Sequence, residues 1–164
     1  MTTHAWTLPK TNITLDQSQV YTKVKAVLFA ISREGGVELV HVHEKSINKQ
    51  KFKVFLDELR RCHPFTDIML MMDNLSLHKA NDTKTRMDEL GFRYTFTPIY
   101  SPQFNGIEEV INIGKKAVKA KRLQLIVDGV EENLNQVILD SFKNICPHQA
   151  AKCIARSLNL LQLE

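Results

Sequence analysis

A chain of 164 residues, 43% hydrophobic and 24% charged, has the size and composition of one globular domain, able to bury a core without disulfide or metal staples. Its net charge of +4 and pI near 9.0 are compatible with a nucleic-acid partner but do not require one. No apolar run approaches the ~18 residues of a membrane span and no signal peptide is visible, so the expectation is a soluble, intracellular protein.

Met1 to Gln19 is polar and irregular, with Asp16 its one acid. Val20 to Ser32 is apolar and β-branched and predicts a strand. Glu34-Gly35-Gly36 predicts a hairpin turn, and Val37 to Glu44 the antiparallel return. From Asn48 to Cys62 the apolar residues Phe52, Phe55, Leu56 and Leu59 recur at a helical period, and Pro64 ends the run. Ile68 to Asp73 predicts a buried strand. Ala80 to Leu90 predicts a helix capped by Gly91, and Phe92 to Thr97 another strand. Helices are expected over Ile107 to Lys121, Val130 to Lys143 and Pro147 to Leu161, with Pro147 at a first helical position.

The three cysteines (Cys62, Cys146, Cys153) are odd in number and lack CxxC spacing, so reduced thiols are expected. Glycosylation sequons fall at Asn12, Asn74 and Asn81. A glycan on Asn74 would obstruct the candidate site described next, which again favours an intracellular location. The sequence does not name the compartment: the nucleus follows if the protein acts on DNA, and an organelle assembly is left open.

The chemistry concentrates between residues 68 and 109. One carboxylate, Asp73, closes an apolar strand. A second, Glu108, follows a turn-rich loop, and 34 residues lie between them. Carboxylates at the C-terminal edge of a parallel sheet occupy the place where open α/β folds hold ligands, and their hard oxygens suit Mg²⁺ or Mn²⁺.

Asp73-Asn74 is followed, after three intervening residues, by His78. Pro98, Tyr100, Ser101, Pro102, Phe104, Asn105, Ile107 and Glu108 form a second motif. In composition and spacing the two resemble the catalytic motifs of DDE transposases of the Tc1/mariner type, over nearly the whole chain. Two positions depart from the family pattern: Gly106 replaces a proline and Ile111 a tryptophan. Both substitutions are expected to loosen the loop that holds the third acid.

The resemblance implies an α/β, ribonuclease-H-like mixed sheet flanked by helices, in one domain. Residues 1–19 are its irregular start, 20–128 carry the sheet, helices and motifs, and 129–164 form C-terminal helices. It further implies that Asp73 and Glu108 descend from the second and third of three metal-binding acids, with Asn74 and His78 supporting them. The family's first, central strand, which carries the first acid, is missing from this reading. His4-Ala5-Trp6 resembles the stretch that follows that strand, and Asp16 is badly placed to substitute for the acid.

A complete site of this kind holds two Mg²⁺ or Mn²⁺ ions. With two acids, the expectation is a catalytically incomplete domain, leaning away from an enzyme, that serves as an interaction or scaffold subunit. Other protein chains are the expected partners, one of them donating a β-strand between residues 20–32 and 68–73. One alternative is a metal-dependent DNA transposase or endonuclease completed by a strand and Asp supplied in trans. Another is a nucleic-acid-binding module using the basic run Lys115, Lys116, Lys119, Lys121 and Arg122.

Overall fold

A computed structural model describes residues 25–98 and 106–161. The first strand, β1 (Ala26–Ser32), pairs antiparallel with β2 (Gly36–His43) through the predicted turn. Gly36 sits there at φ 75°, and a Cβ on it would lie 2.8 Å from Cα of Pro147, so the turn needs glycine for conformation and for space. The expected extension of β1 back to residue 20 falls outside the described residues.

Helix α1 (Lys49–Cys62) starts at Asn48, whose side-chain oxygen accepts the Lys51 N–H at 2.9 Å. Its apolar stripe (Phe52, Phe55, Leu56, Leu59) is buried as the period predicts. Two polar contacts fasten α1 and its C-cap to β2: His41 with Glu58 at 2.7 Å and His63 with Glu38 at 3.2 Å.

Next come β3 (Met69–Met72), the short α2 (Ser76–Lys79), α3 (Asn81–Glu89) and β4 (Arg93–Phe96). Strands β3 and β4 are parallel, Met69 opposite Arg93 through Met72 opposite Phe96. After α3, Gly91 adopts φ 67° while its N–H bonds the Asp88 carbonyl and the Phe92 N–H bonds Met87. This is a Schellman stop, and it delivers Phe92 and Met87 into the same cluster. Three helices complete the chain: α4 (Gly106–Val127), α5 (Leu134–Lys143) and α6 (Pro147–Leu161). Asn133 caps α5 by accepting the Gln136 N–H, so that helix begins four residues later than the Val130 start predicted.

Two cores divide the molecule. On one face of the hairpin, Phe29 and Val40 pack against Val110 of α4, Ile138 and Phe142 of α5, and Ala150 and Cys153 of α6. On the other face, Leu28, Ala30 and Leu39 meet the α1 stripe. That second cluster also takes Leu70 and Met72 from β3, with Met87 of α3 and Phe92. Helix α1 therefore roofs both strand pairs. Among the described residues, however, the sheets remain two separate two-stranded pairs, with no ladder joining β1 to β3.

The expectation of a fully buried Ile68–Asp73 strand is corrected. Leu70 and Met72 face the α1 core, whereas Met69 and Met71 on the opposite face are 58% and 38% exposed. A short apolar run reads the same whether one face is covered or two. The architecture is the expected α/β, ribonuclease-H-like arrangement of mixed strands flanked by helices.

Candidate functional site

Asp73 lies one residue beyond the C-terminal end of β3, its side chain 42% exposed. One carboxylate oxygen, Oδ1, accepts the Leu75 N–H at 3.2 Å and stands 2.8 Å from His78 Nδ1. No partner of the other oxygen is found among the described residues. His78 is 12% exposed and rests on the Phe52 ring, centroids 4.7 Å apart, so the α1 core holds the imidazole that holds Asp73. Asn74 turns the other way: its side-chain amide donates to the Thr97 carbonyl, joining the ends of β3 and β4. His78 and Asn74 thus orient the acid and its loop.

Glu108 lies in the first turn of α4 with its side chain exposed, where the helix dipole favours a carboxylate. Its neighbour Glu109 is paired with Arg156 of α6 at 2.5 Å. The residues from Ile99 to Asn105, including the motif positions Tyr100, Ser101, Pro102, Phe104 and Asn105, lie outside the described residues, as does Asp16. Among the described residues no group of three or more His, Cys, Asp or Glu side chains is placed to hold a metal ion. The donors, an Asp73 carboxylate whose second oxygen has no partner among the described residues and the exposed Glu108 carboxylate, are hard oxygens of the kind Mg²⁺ takes alongside water and phosphate oxygens. They do not by themselves make a two-metal clamp.

Gly106 departs from the sequence expectation for a physical reason. It is buried at the start of α4, and a Cβ there would lie 2.6 Å from Ser157 Oγ and 2.7 Å from the Cys153 carbonyl. The missing side chain lets α4 butt against α6, so the glycine tightens the base of Glu108 rather than loosening it. Ile111, in place of the family's tryptophan, packs against the core at the same junction. Burial and the adjacent Glu109 push the Cys153 thiol up from its ordinary pKa, keeping it protonated there. Gly106→Ala is expected to lower stability by about 1–3 kcal/mol through overpacking, read as a shift of the urea midpoint. A midpoint equal to the wild type would show that the helix ends separate freely.

In the basic run, Lys115, Lys116, Lys119 and Lys121 are exposed along α4. Arg122 instead grips Glu132 in a two-pronged pair, Nε to Oε2 at 2.8 Å and one terminal nitrogen to Oε1 at 2.9 Å, which pins the loop after α4. Two cations not singled out in the sequence, Lys79 and Lys84, stand 5.7 and 5.9 Å from the Phe96 ring centre at the end of β4. Their only sequence signal is position just past Asp73. No helix among the described residues is long and apolar enough to cross a membrane.

A family model described as DDE superfamily endonuclease matches residues 3–127. Among solved structures, the Mos1 transposase catalytic domain with raltegravir and Mg is similar at 13% identity, over 83% of this chain and 71% of that one, with a TM-score of 0.59. The same domain with raltegravir and Mn gives 12% identity and the same TM-score and coverage. The Mos1 paired-end complex with the left transposon end aligns at 14% identity and TM-score 0.55, over 94% of this chain and 50% of that one. At such identities the likeness concerns the fold, and the chain spans about half the length of the transposase in that complex. No curated protein matches the chain by sequence.

Proposed function

The chain belongs to the DDE superfamily endonucleases, and from that membership we propose that it is a catalytically incomplete member serving as an interaction or scaffold subunit of a larger assembly. The observation that carries this reading is the division of the strands. The β1–β2 and β3–β4 pairs share the α1 roof and one apolar cluster, yet are not laddered to each other among the described residues. Unpaired strand edges beside a common core accept an added strand, with main-chain hydrogen bonds supplying affinity. The partner is then a polypeptide that places a strand between residues 20–32 and 68–73.

Asp73 and Glu108 remain as the ligands for one Mg²⁺ or Mn²⁺, with His78 and Asn74 orienting the first of them. A divalent ion bound there would neutralise phosphate charge. The chain's own contribution is to hold the Asp73 carboxylate at a set angle through the His78–Phe52 contact. Two motif acids among the described residues support the holding of one ion better than in-line strand cleavage, which takes a two-metal clamp.

The test is a nicking assay on supercoiled plasmid with Mg²⁺ or Mn²⁺, alongside a Mn²⁺ titration by calorimetry. The expected result is no nicking above that of Asp73→Asn, with one weak binding event that this substitution weakens about tenfold or more. Metal-dependent nicking that disappears in Asp73→Asn would overturn the proposal.

One observation favours a second reading. The free oxygen of Asp73 and the exposed carboxylate of Glu108 are poised as open ligand positions. On this reading the domain is a DNA transposase or endonuclease completed by a strand and Asp from another polypeptide. It predicts that an apolar strand peptide ending in Asp restores nicking, and that its Asn counterpart does not.

A further inference from the structure

We propose that the outward stripe of α4 is a docking surface for an acidic amphipathic helix of another protein. The inward side of α4 is accounted for: Val110 and Gly114 are buried, and Ile107, Ile111, Ile113 and Val118 pack on the core. At about 100° per residue, Lys116, Leu123 and Val127 fall within ~20° of one line on the opposite side, with Lys119 ~60° to one flank. Leu123 is 45% exposed and Val127 59%, and Val130 just past the Gly129 stop is 54% exposed. Scattered singly, such residues need no explanation. Leu123 and Val127, aligned at i and i+4 on the helix with Val130 at the stop beyond them, have the spacing by which one helix anchors on another.

Charge selects the occupant. The apolar end of the stripe continues directly into exposed Lys116 and Lys119, with Lys115 and Lys121 exposed further round the helix. No ion pair engages these four lysines among the described residues. The neighbouring Arg122–Glu132 fork shows that this end of α4 already receives a carboxylate brought by its own loop. A second copy fits poorly, because the chain carries net charge +4 and two basic stripes would face each other. Duplex DNA would use the lysines but gain nothing from Leu123, Val127 and Val130. A bilayer would find only these few apolar side chains, since the rest of the helix's apolar surface is spent on the core. An acidic amphipathic helix satisfies both halves of the stripe.

The experiment measures fluorescence anisotropy of a labelled helical peptide bearing leucines at i, i+4 and i+7 between glutamates. Its comparators are a scrambled peptide of the same composition, a random duplex DNA and phosphatidylserine-containing vesicles. The expected result is binding to the whole chain about tenfold or more tighter than the scramble. It is weakened about tenfold or more by Leu123→Ser with Val127→Ser, and likewise by Lys116→Glu with Lys119→Glu. These side chains are exposed, so circular dichroism should be unchanged. Equal binding of ordered and scrambled peptides, or binding indifferent to both variant pairs, would overturn the proposal. So would preferential binding of DNA or vesicles that persists in the serine variant.

Discussion

Phe142→Ala is expected to lower stability by about 3–5 kcal/mol, read from urea denaturation. The ring is 4% exposed and meets Phe29 edge to face, centroids 5.0 Å apart, so it binds the hairpin to α5. It also fills the space over Gly114, where a Cβ would lie 2.5 Å from the ring's Cζ. One side chain thereby sets the distances among β1, α4 and α5. The consequence is a change of sign. Gly114→Ala alone should destabilise, because overlap with a ring held by Phe29 outweighs the ~1 kcal/mol that alanine gains over glycine within a helix. In the Phe142→Ala background the same substitution should stabilise, filling vacated space while keeping that gain. A double-mutant cycle measures the reversal, and additivity within about 0.5 kcal/mol would show that the two positions do not touch.

Leu56→Ala should cost about 2–5 kcal/mol, with Val54→Ala on the exposed side of the same helix within about 0.5 kcal/mol of wild type. Leu56 is 1% exposed at the centre of the cluster that receives Leu28, Ala30 and Leu39 from the hairpin and Leu70 and Met72 from β3. With no ladder between the strand pairs among the described residues, this cluster carries their association. The substitution should therefore accelerate amide exchange at Leu70 and Met72, whose N–H groups face β4, more than at Phe29 and Val40, which the second core also holds. Equal acceleration in both strands would mean that the two cores unfold as one.

Much of the fold is legible residue by residue. The α1 stripe, the Asn48 start, the Gly91 stop and the strand that ends just before Asp73 all follow from periodicity and cap chemistry, which are local. Where expectation and structure part, the missing information is another element's position. Helix α4 was expected to end at Lys121 and runs on to Val127, stopped by Gly129 with the Val130 N–H on the Leu125 carbonyl. The Asp128-Gly129 signal was present in the sequence, but the lysine run obscured the period. Gly106 and Ile111 read as loosening substitutions because a departure from a pattern says nothing about what packs opposite it. The fork between Arg122 and Glu132, ten residues on beyond a turn, is likewise not encoded in any local pattern.

By itself the sequence determined which of the longer segments are helix or strand, where α1 and α3 stop, and which two acids have 34 residues between them at motif positions. These follow from side-chain pattern and backbone preference within a few residues. Only the tertiary structure decided that His78, braced by Phe52, turns the Asp73 carboxylate, that glycine at 106 admits α6, and that one roof spans two strand pairs not laddered to each other among the described residues. Those outcomes depend on close packing between distant segments, where tenths of an ångström decide which side chain fits, and no local pattern encodes such distances.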